Sequence, residues 1–210
     1  MMSQRSKPTG LVDDDIDPVT RAPNSIPKEQ ILDAAYELLL AVGMRRLSMA
    51  DIARSARVSR ATLYRHWPNA NAVVGALVTR EFDGVTAHAM ATGSTPARAA
   101  LVSGVIAIVR SIRVHPLMRK IIDVDPEFLL PYLVERRGTS TTHQLGLLEM
   151  ALHAGRADGS IRAGNVAVQA RAVWLLACSF TLTAPVLADE VSLEDLDGQL
   201  ADLLDRYLAP

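Results

Sequence analysis

Between Arg45 and Trp67 the cations Arg45, Arg46, Arg54, Arg57, Arg60 and Arg65 face a single acid, Asp51. Such a run suits polyanion binding, because guanidinium forks match phosphate oxygens and the acceptor edges of bases. Interleaved with the arginines are Ser48, Ser59, Thr62, Tyr64 and His66, whose side chains hydrogen-bond to phosphates or bases. The whole chain of 210 residues carries a formal net charge of -1, so any nucleic-acid affinity arises from local asymmetry. The opposite end is acidic, with Asp189, Glu190, Glu194, Asp195, Asp197, Asp202 and Asp205 against Arg206. That contrast puts the polyanion site in the N-terminal third.

Two short helices are needed to present these groups. Ser48 with Asp51 three residues on has the spacing of a capping box, and Met49, Ile52, Ala53 and Ala56 then recur at helical spacing as a buried face. Ser59 caps a second helix in which Leu63 and Trp67, four apart, face inward. Arg60, Thr62, Tyr64, Arg65 and His66 are left for solvent or a ligand. Cap, apolar spacing, tight turn, second cap and inward aromatic together predict a helix-turn-helix that reads duplex DNA.

The rest of the chain reads as helix without sustained β-alternation, so the expected fold class is all-α. Residues 1–27 are rich in Pro, Asp, Ser and Thr and predict a disordered arm. Arg21 and Lys28 leave open a DNA-touching arm, which the acidic run DDDID opposes. Ile31, Ala34, Ala35, Leu38 and Val42 form a stripe that stops at Gly43, and Val74, Leu77, Val78, Phe82 and Val85 form the stripe of a longer helix reaching about Ala91. Thr95-Pro96, Pro116 and Asp125-Pro126 restart helices. The helix after Pro126 is expected to run to about Gly155 with a kink near Pro131. A turn-rich connection from Arg156 to Asn165 leads into an apolar helix over about Val166 to Leu187, and Ser192 opens the last helix. The expected organisation is an arm at 1–27, a DNA-binding domain at 28–91 and a second helical domain at 92–210.

Several chemistries lack their groups. The lone Cys178 excludes a disulfide framework and a Cys-rich zinc module, and in its apolar run it reads as a buried, inert thiol. His88, His115, His143 and His153 include no pair at i, i+3 or i+4, so no metal is expected, and no cofactor is implied. No apolar segment follows Arg5 and Lys7, and the most apolar run, Val173 to Ala188, falls short of the roughly 20 residues a spanning helix needs. The expected location is the cytoplasm, away from membranes.

The segments ILDAAYELLLAVG, ADIARSA and VSRATLYRHW together resemble the TetR family of one-component transcriptional regulators, over about Lys28 to Val78. The stretch HPLMRKIIDVDPEFLLPYLVERRGTS is also similar to regulatory domains of some members. The resemblance implies that Ser59 to His66 is the recognition helix. It further implies that Ser48 and Ser59 offer cap groups to phosphates, that Tyr64 and His66 touch the backbone, and that Arg60 and Thr62 face base edges. Arg65 is as open to a phosphate contact as to solvent. Two positions depart from the family pattern. Arg57 stands where members usually carry Gly, at a cost of roughly 1 kcal/mol if the turn is left-handed. Ala70 stands where a Lys often follows the recognition helix, and Arg57 is the candidate to replace that anchor.

In the second domain Leu101, Val105, Met118, Phe128, Tyr132, Leu147, Trp174 and Cys178 are candidates for a pocket that takes an unknown small-molecule effector, although such residues fill cores as readily. Trp174, Leu196, Leu200 and Leu203 are candidates for a homodimer interface, with the acids of the last helix facing outward. The function expected is a ligand-responsive repressor that binds a palindromic double-stranded DNA operator as a homodimer and is not an enzyme. Two other classes compete. An effector-independent structural DNA-binding protein would have a filled C-terminal core. An enzyme with a DNA-binding appendage would need a catalytic spacing that Ser140 and His143 in GTSTTHQLG do not have.

Overall fold

The computed structural model describes residues 28–90, 96–131 and 138–210, and among them every regular element is helical. The arm at 1–27, the boundary expected at Ala91 and the pocket candidate Tyr132 lie outside the described residues. In chain order the helices are α1 (Lys28–Val42), α2 (Met49–Ser55), α3 (Arg60–His66), α4 (Ala70–Met90), α5 (Ala97–Val114) and α6 (Pro116–Val124). After a 3-10 turn at Pro126–Phe128 come α7 (Thr139–Ala157), α8 (Val166–Leu182), α9 (Ala184–Leu187) and α10 (Leu193–Leu208).

Two apolar clusters organise these helices. The first gathers Ile31, Leu32, Ala35 and Leu39 of α1, Ile52 of α2, Leu63 of α3 with Trp67 beyond it, and Val73, Val74 and Leu77 of α4. It also takes Leu117 and Ile121 from α6, far later in the chain. Val42 shares the angular face of Ile31 and Ala35, yet at the last residue of α1 it escapes cover and is exposed. The second cluster joins α5, α7, α8 and α10 through Leu101, Val105, Leu152, Val173, Leu200 and Leu204.

Proline geometry corrects two helix expectations. The helix after Pro126 is not one continuous helix to Gly155: Phe128 and Leu129 donate to the carbonyls of Asp125 and Pro126 in tight 3-10 fashion, helical backbone resumes at Leu130 and Pro131, and Gly138 is extended and caps a new helix, α7, at Thr139. The apolar helix expected to reach Leu187 ends at Leu182, because Pro185 has no N–H to continue the ladder and a short α9 restarts around it.

The last helix is rotated relative to expectation. Leu200 is fully buried within the protomer, with Leu204 and Leu208, and so cannot serve as a dimer contact; Leu203 is 49% exposed. Asp197 does not face outward either. It is buried, and accepts from Arg113 Nη2 at 2.6 Å and from Arg110 Nε at 2.7 Å. Arg113 is itself buried and also donates to the Phe180 carbonyl, so one cation ties α5 to α8 and α10. Sequence periodicity counted Asp197 with the other acids because its partners lie more than 80 residues earlier in the chain.

A buried ion pair contributes little net stability, but removing one partner leaves an uncompensated charge. Asp197→Ala is expected to lower the unfolding free energy by about 3–5 kcal/mol in urea titrations. A loss below about 1 kcal/mol would show that water reaches Arg113 freely.

Candidate nucleic-acid interface

The turn between α2 and α3 is a Schellman motif. Val58 N–H donates to the Ala53 carbonyl at 2.9 Å and Arg57 N–H to the Arg54 carbonyl at 3.2 Å. The motif requires a left-handed residue, and Arg57 fills that position with φ 55°, alone among the described non-glycine residues in having positive φ. Gln30 on α1 reaches across to donate to the Ala56 carbonyl at 3.2 Å, so the turn is held from outside as well.

Both caps form as spaced. Ser48 Oγ accepts from Asp51 N–H at 3.2 Å and donates to the Asp51 carboxylate. Ser59 Oγ accepts from Thr62 N–H at 3.0 Å and lies 2.9 Å from Thr62 Oγ1. Leu63 and Trp67 are buried as knobs that fix α3 on the core, and Trp67 lies in tilted contact with the His66 ring. Arg57, Ser59, Arg60 and Arg65 are exposed, Tyr64 is 53% exposed, and Thr62 and His66 are half-buried.

Charge on this surface is divided. Arg54 pairs with Asp51 at 3.0 Å, and Arg45 pairs with Glu127 at 2.8 Å. Arg57, Arg60 and Arg65 form no ion pair among the described residues. Three cations, one phenol and a capped helix N-terminus therefore share one exposed face, the arrangement that contacts phosphates and base edges in a major groove.

Just behind that face begins a cavity of about 880 Å³. Its wall starts at Pro68, Asn69 and Asn71, directly after the recognition helix, and continues along α4 between α5, α7 and α8. Leu101, Val105, Met118, Phe128, Leu147, Trp174 and Cys178 all lie on this wall. Trp174 is thus placed in the cavity, where its Nε1–H donates to Gln144 Oε1 at 2.8 Å. Burial pushes the Cys178 thiol up to about 12, so it is a neutral wall residue at ordinary pH. The α4 contribution, from Ala72, Gly75, Ala76 and Thr79 onward, escaped the sequence reading. The usable signal was the cluster of small residues Ala72, Gly75 and Ala76 opposite the apolar Val73, Val74 and Leu77.

The same segment that closes the cavity also holds the helix-turn-helix. Phe128 and Leu129 line the wall, while the neighbouring Asp125, buried, accepts from Met44 N–H at 2.7 Å in the loop before α2. Gly43 makes that approach possible: at φ 76° it is left-handed, and a Cβ there would stand 3.0 Å from Asp125 Oδ2. Glu127, paired with Arg45, is held below the usual carboxylate range, first by a hydrogen bond from its own backbone and then by Arg45.

Fold and surface together define a helix-turn-helix DNA-binding protein with a hollow helical second half. Residues 31–77 match the family described as bacterial regulatory proteins, tetR family. An uncharacterized HTH-type transcriptional regulator of Mycobacterium tuberculosis is 30% identical over 179 residues, which cover 85% of this chain and 93% of that protein. The chain belongs to the TetR family of transcriptional regulators. Among solved structures, the repressor QsdR of R. erythropolis superposes with a TM-score of 0.66 at 21% identity, covering 87% of this chain and 96% of that one. The TetR family repressor AlkX of Dietzia sp. gives 0.65 at 23% identity, covering 86% and 94%. At those identities the likeness is one of fold. No helix among the described residues is long and apolar enough to cross a membrane.

Arg57→Gly separates the strain of the turn from its charge. Relief of the left-handed arginine is expected to raise the unfolding free energy by up to about 1 kcal/mol, after glycine's own entropic cost. In the same variant the slope of log DNA affinity against log salt should fall by about 0.9, one phosphate contact. A fall in stability by about 0.5–1 kcal/mol, glycine's entropic cost alone, would show an unstrained turn, and an unchanged slope would remove Arg57 from the interface.

Proposed function

We propose that this regulator is a homodimeric, ligand-responsive repressor that binds a palindromic operator and releases it when a small molecule fills the cavity. The observation that carries this reading is the position of the cavity, whose wall includes the loop that ends the recognition helix. An occupant touches that loop and the Phe128–Leu129 segment together, and the latter adjoins Asp125 on the loop before α2. Both ends of the helix-turn-helix thereby feel the same space. A protein that only packages DNA would have no use for an open interior of this size, which favours regulation over the structural alternative.

Ser48, Ser59, Tyr64 and His66 are assigned to phosphates, with Arg57 as an added anchor. Arg60 and Thr62 are assigned to base edges, and Arg65 to the groove rim. A two-fold dimer places two α3 helices about 34–36 Å apart, in successive major grooves of a symmetric site. We assign dimerisation to a face on α8, α9 and α10. Val168 and Leu175, seven apart on α8, are 59% and 62% exposed, and Val186, Leu187 and Leu203 extend the patch. Large apolar side chains left exposed on neighbouring helices suit an interface. Leu196, half-buried, borders it, whereas Leu200 and Trp174 are engaged inside the protomer.

Selection of random duplexes by the full chain tests the reading, the expected product being an inverted repeat. Arg60→Ala should relax one base position and cost about 1–3 kcal/mol on the selected site. Selection of no motif, or of one without two-fold symmetry, would overturn it.

Leu175→Glu places a charge on the proposed interface without touching the protomer core. The variant is expected to keep its helical circular dichroism, run as a monomer in light scattering and lose operator affinity. A Leu175→Glu protein that remains a dimer would put the interface elsewhere.

A further inference from the structure

The cavity is long. On α4 its wall runs from Asn71 to Thr86, about 22 Å at a rise of about 1.5 Å per residue. It is also uncharged, since no Asp, Glu, Lys, Arg or His lines it among the described residues. Much of its nominal polarity is already used. Thr79, Thr86 and Thr181 each donate their hydroxyl back to the carbonyl four residues earlier, at 2.9, 2.8 and 2.7 Å, so they offer no donor to an occupant.

Two polar spots remain among the described residues: the exposed carboxamides of Asn69 and Asn71 at the end beside the recognition helix, and the first turns of α7. Gln144 has its Oε1 taken by Trp174 and donates its Nε2 to Ser140 Oγ at 3.1 Å. Ser140 Oγ accepts there, which leaves its O–H to donate into the cavity, and the Thr141 hydroxyl beside it has no partner among the described residues. Two hydroxyl donors at one place, in a wall that between them and the exposed Asn69 and Asn71 is apolar or self-satisfied, match a single acceptor oxygen on a long apolar body. Among the described residues a full charge on the occupant would meet no counter-ion, which is strongly unfavourable.

Resting on the effector reading above, we propose that the cavity takes an uncharged, long-chain aliphatic molecule bearing one carbonyl oxygen, such as an ester or lactone, with that oxygen on Ser140 and Thr141. A carboxylate is the alternative to exclude, since Arg136 and Arg137, outside the described residues, are the nearest cations to this spot in sequence.

Calorimetric titration of the full chain with methyl dodecanoate, dodecane, dodecanoate at pH 8 and dodecylammonium tests the assignment. The ester should bind, and the two ions should bind about tenfold or more weakly. Ser140→Ala with Thr141→Val should weaken the ester about fivefold or more while leaving dodecane unchanged. Dodecanoate or dodecylammonium binding as tightly as the ester, an ester affinity unmoved by the double variant, or no binding of the ester would each overturn the class. Anisotropy of the selected operator, recorded in parallel, keeps the two readings apart. Ester binding without DNA release defeats the regulatory reading and leaves the ligand class standing. DNA release by a compound of another class does the reverse.

Discussion

Helix α4 packs Val73, Val74 and Leu77 into the core of the DNA-binding half while its opposite face, from Asn71 to Thr86, walls the cavity of the other half. A helix can do this only if one side is large and apolar and the other is small, because two close-packed faces would leave no interior space. Ala72, Gly75 and Ala76 supply the small side. Any movement of α4 therefore changes both the seat of the recognition helix and the shape of the cavity. Arg80 adds a tie between α4 and α1 by bridging to Glu29 and Asp33, beside the apolar core that α1, α2, α3 and the first half of α4 share.

The second tie between the halves comes from α6, which packs Leu117 and Ile121 into the DNA-binding core although it follows α5 in sequence. A core shared across a chain separation of this size was not visible in local periodicity, which reports that a face is apolar but not what covers it. The same limit explains the final helix. Its leucines were legible as a stripe, yet whether Leu200 meets its own subunit or another depends on α5 and α8, and the structure buries it at home. The recognition helix was legible down to single residues, because caps, turn and inward aromatic are all local. Ser48, Ser59, Leu63 and Trp67 take the places their spacing requires, whereas the left-handed Arg57 was suggested only by the glycine that the family resemblance implies at that position. The wall of the cavity was half legible: bulky residues such as Phe128 and Trp174 stood out, whereas the small ones that create the space did not.

Arg57 breaks the local preference for glycine at a left-handed position. Glycine would fit the Schellman position without strain, and the neighbouring bonds from Arg57 and Val58 form regardless. Keeping arginine there costs roughly 1 kcal/mol of stability and leaves an exposed cation in the turn between the two helices. Under the proposed function a phosphate contact by this charged donor offsets about what the turn loses. It would stand in for the lysine that the family resemblance implies at the position of Ala70.

The size of the tie at Asp125 bears on how such a regulator would switch. One charge-assisted hydrogen bond from Met44, with the exposed Arg45–Glu127 pair beside it, is worth on the order of 1–3 kcal/mol. Coupling free energies between effector and DNA sites fall in the same range, about 1–3 kcal/mol. Under the proposed mechanism the helix-turn-helix need not unfold and the apolar seam of Leu117 and Ile121 need not open. Displacement of the Phe128 segment by an occupant is enough, provided it lengthens the Asp125 contact in one state and not in the other. The apolar seam would then act as a hinge that persists in both states, and the polar latch as the element whose loss separates them.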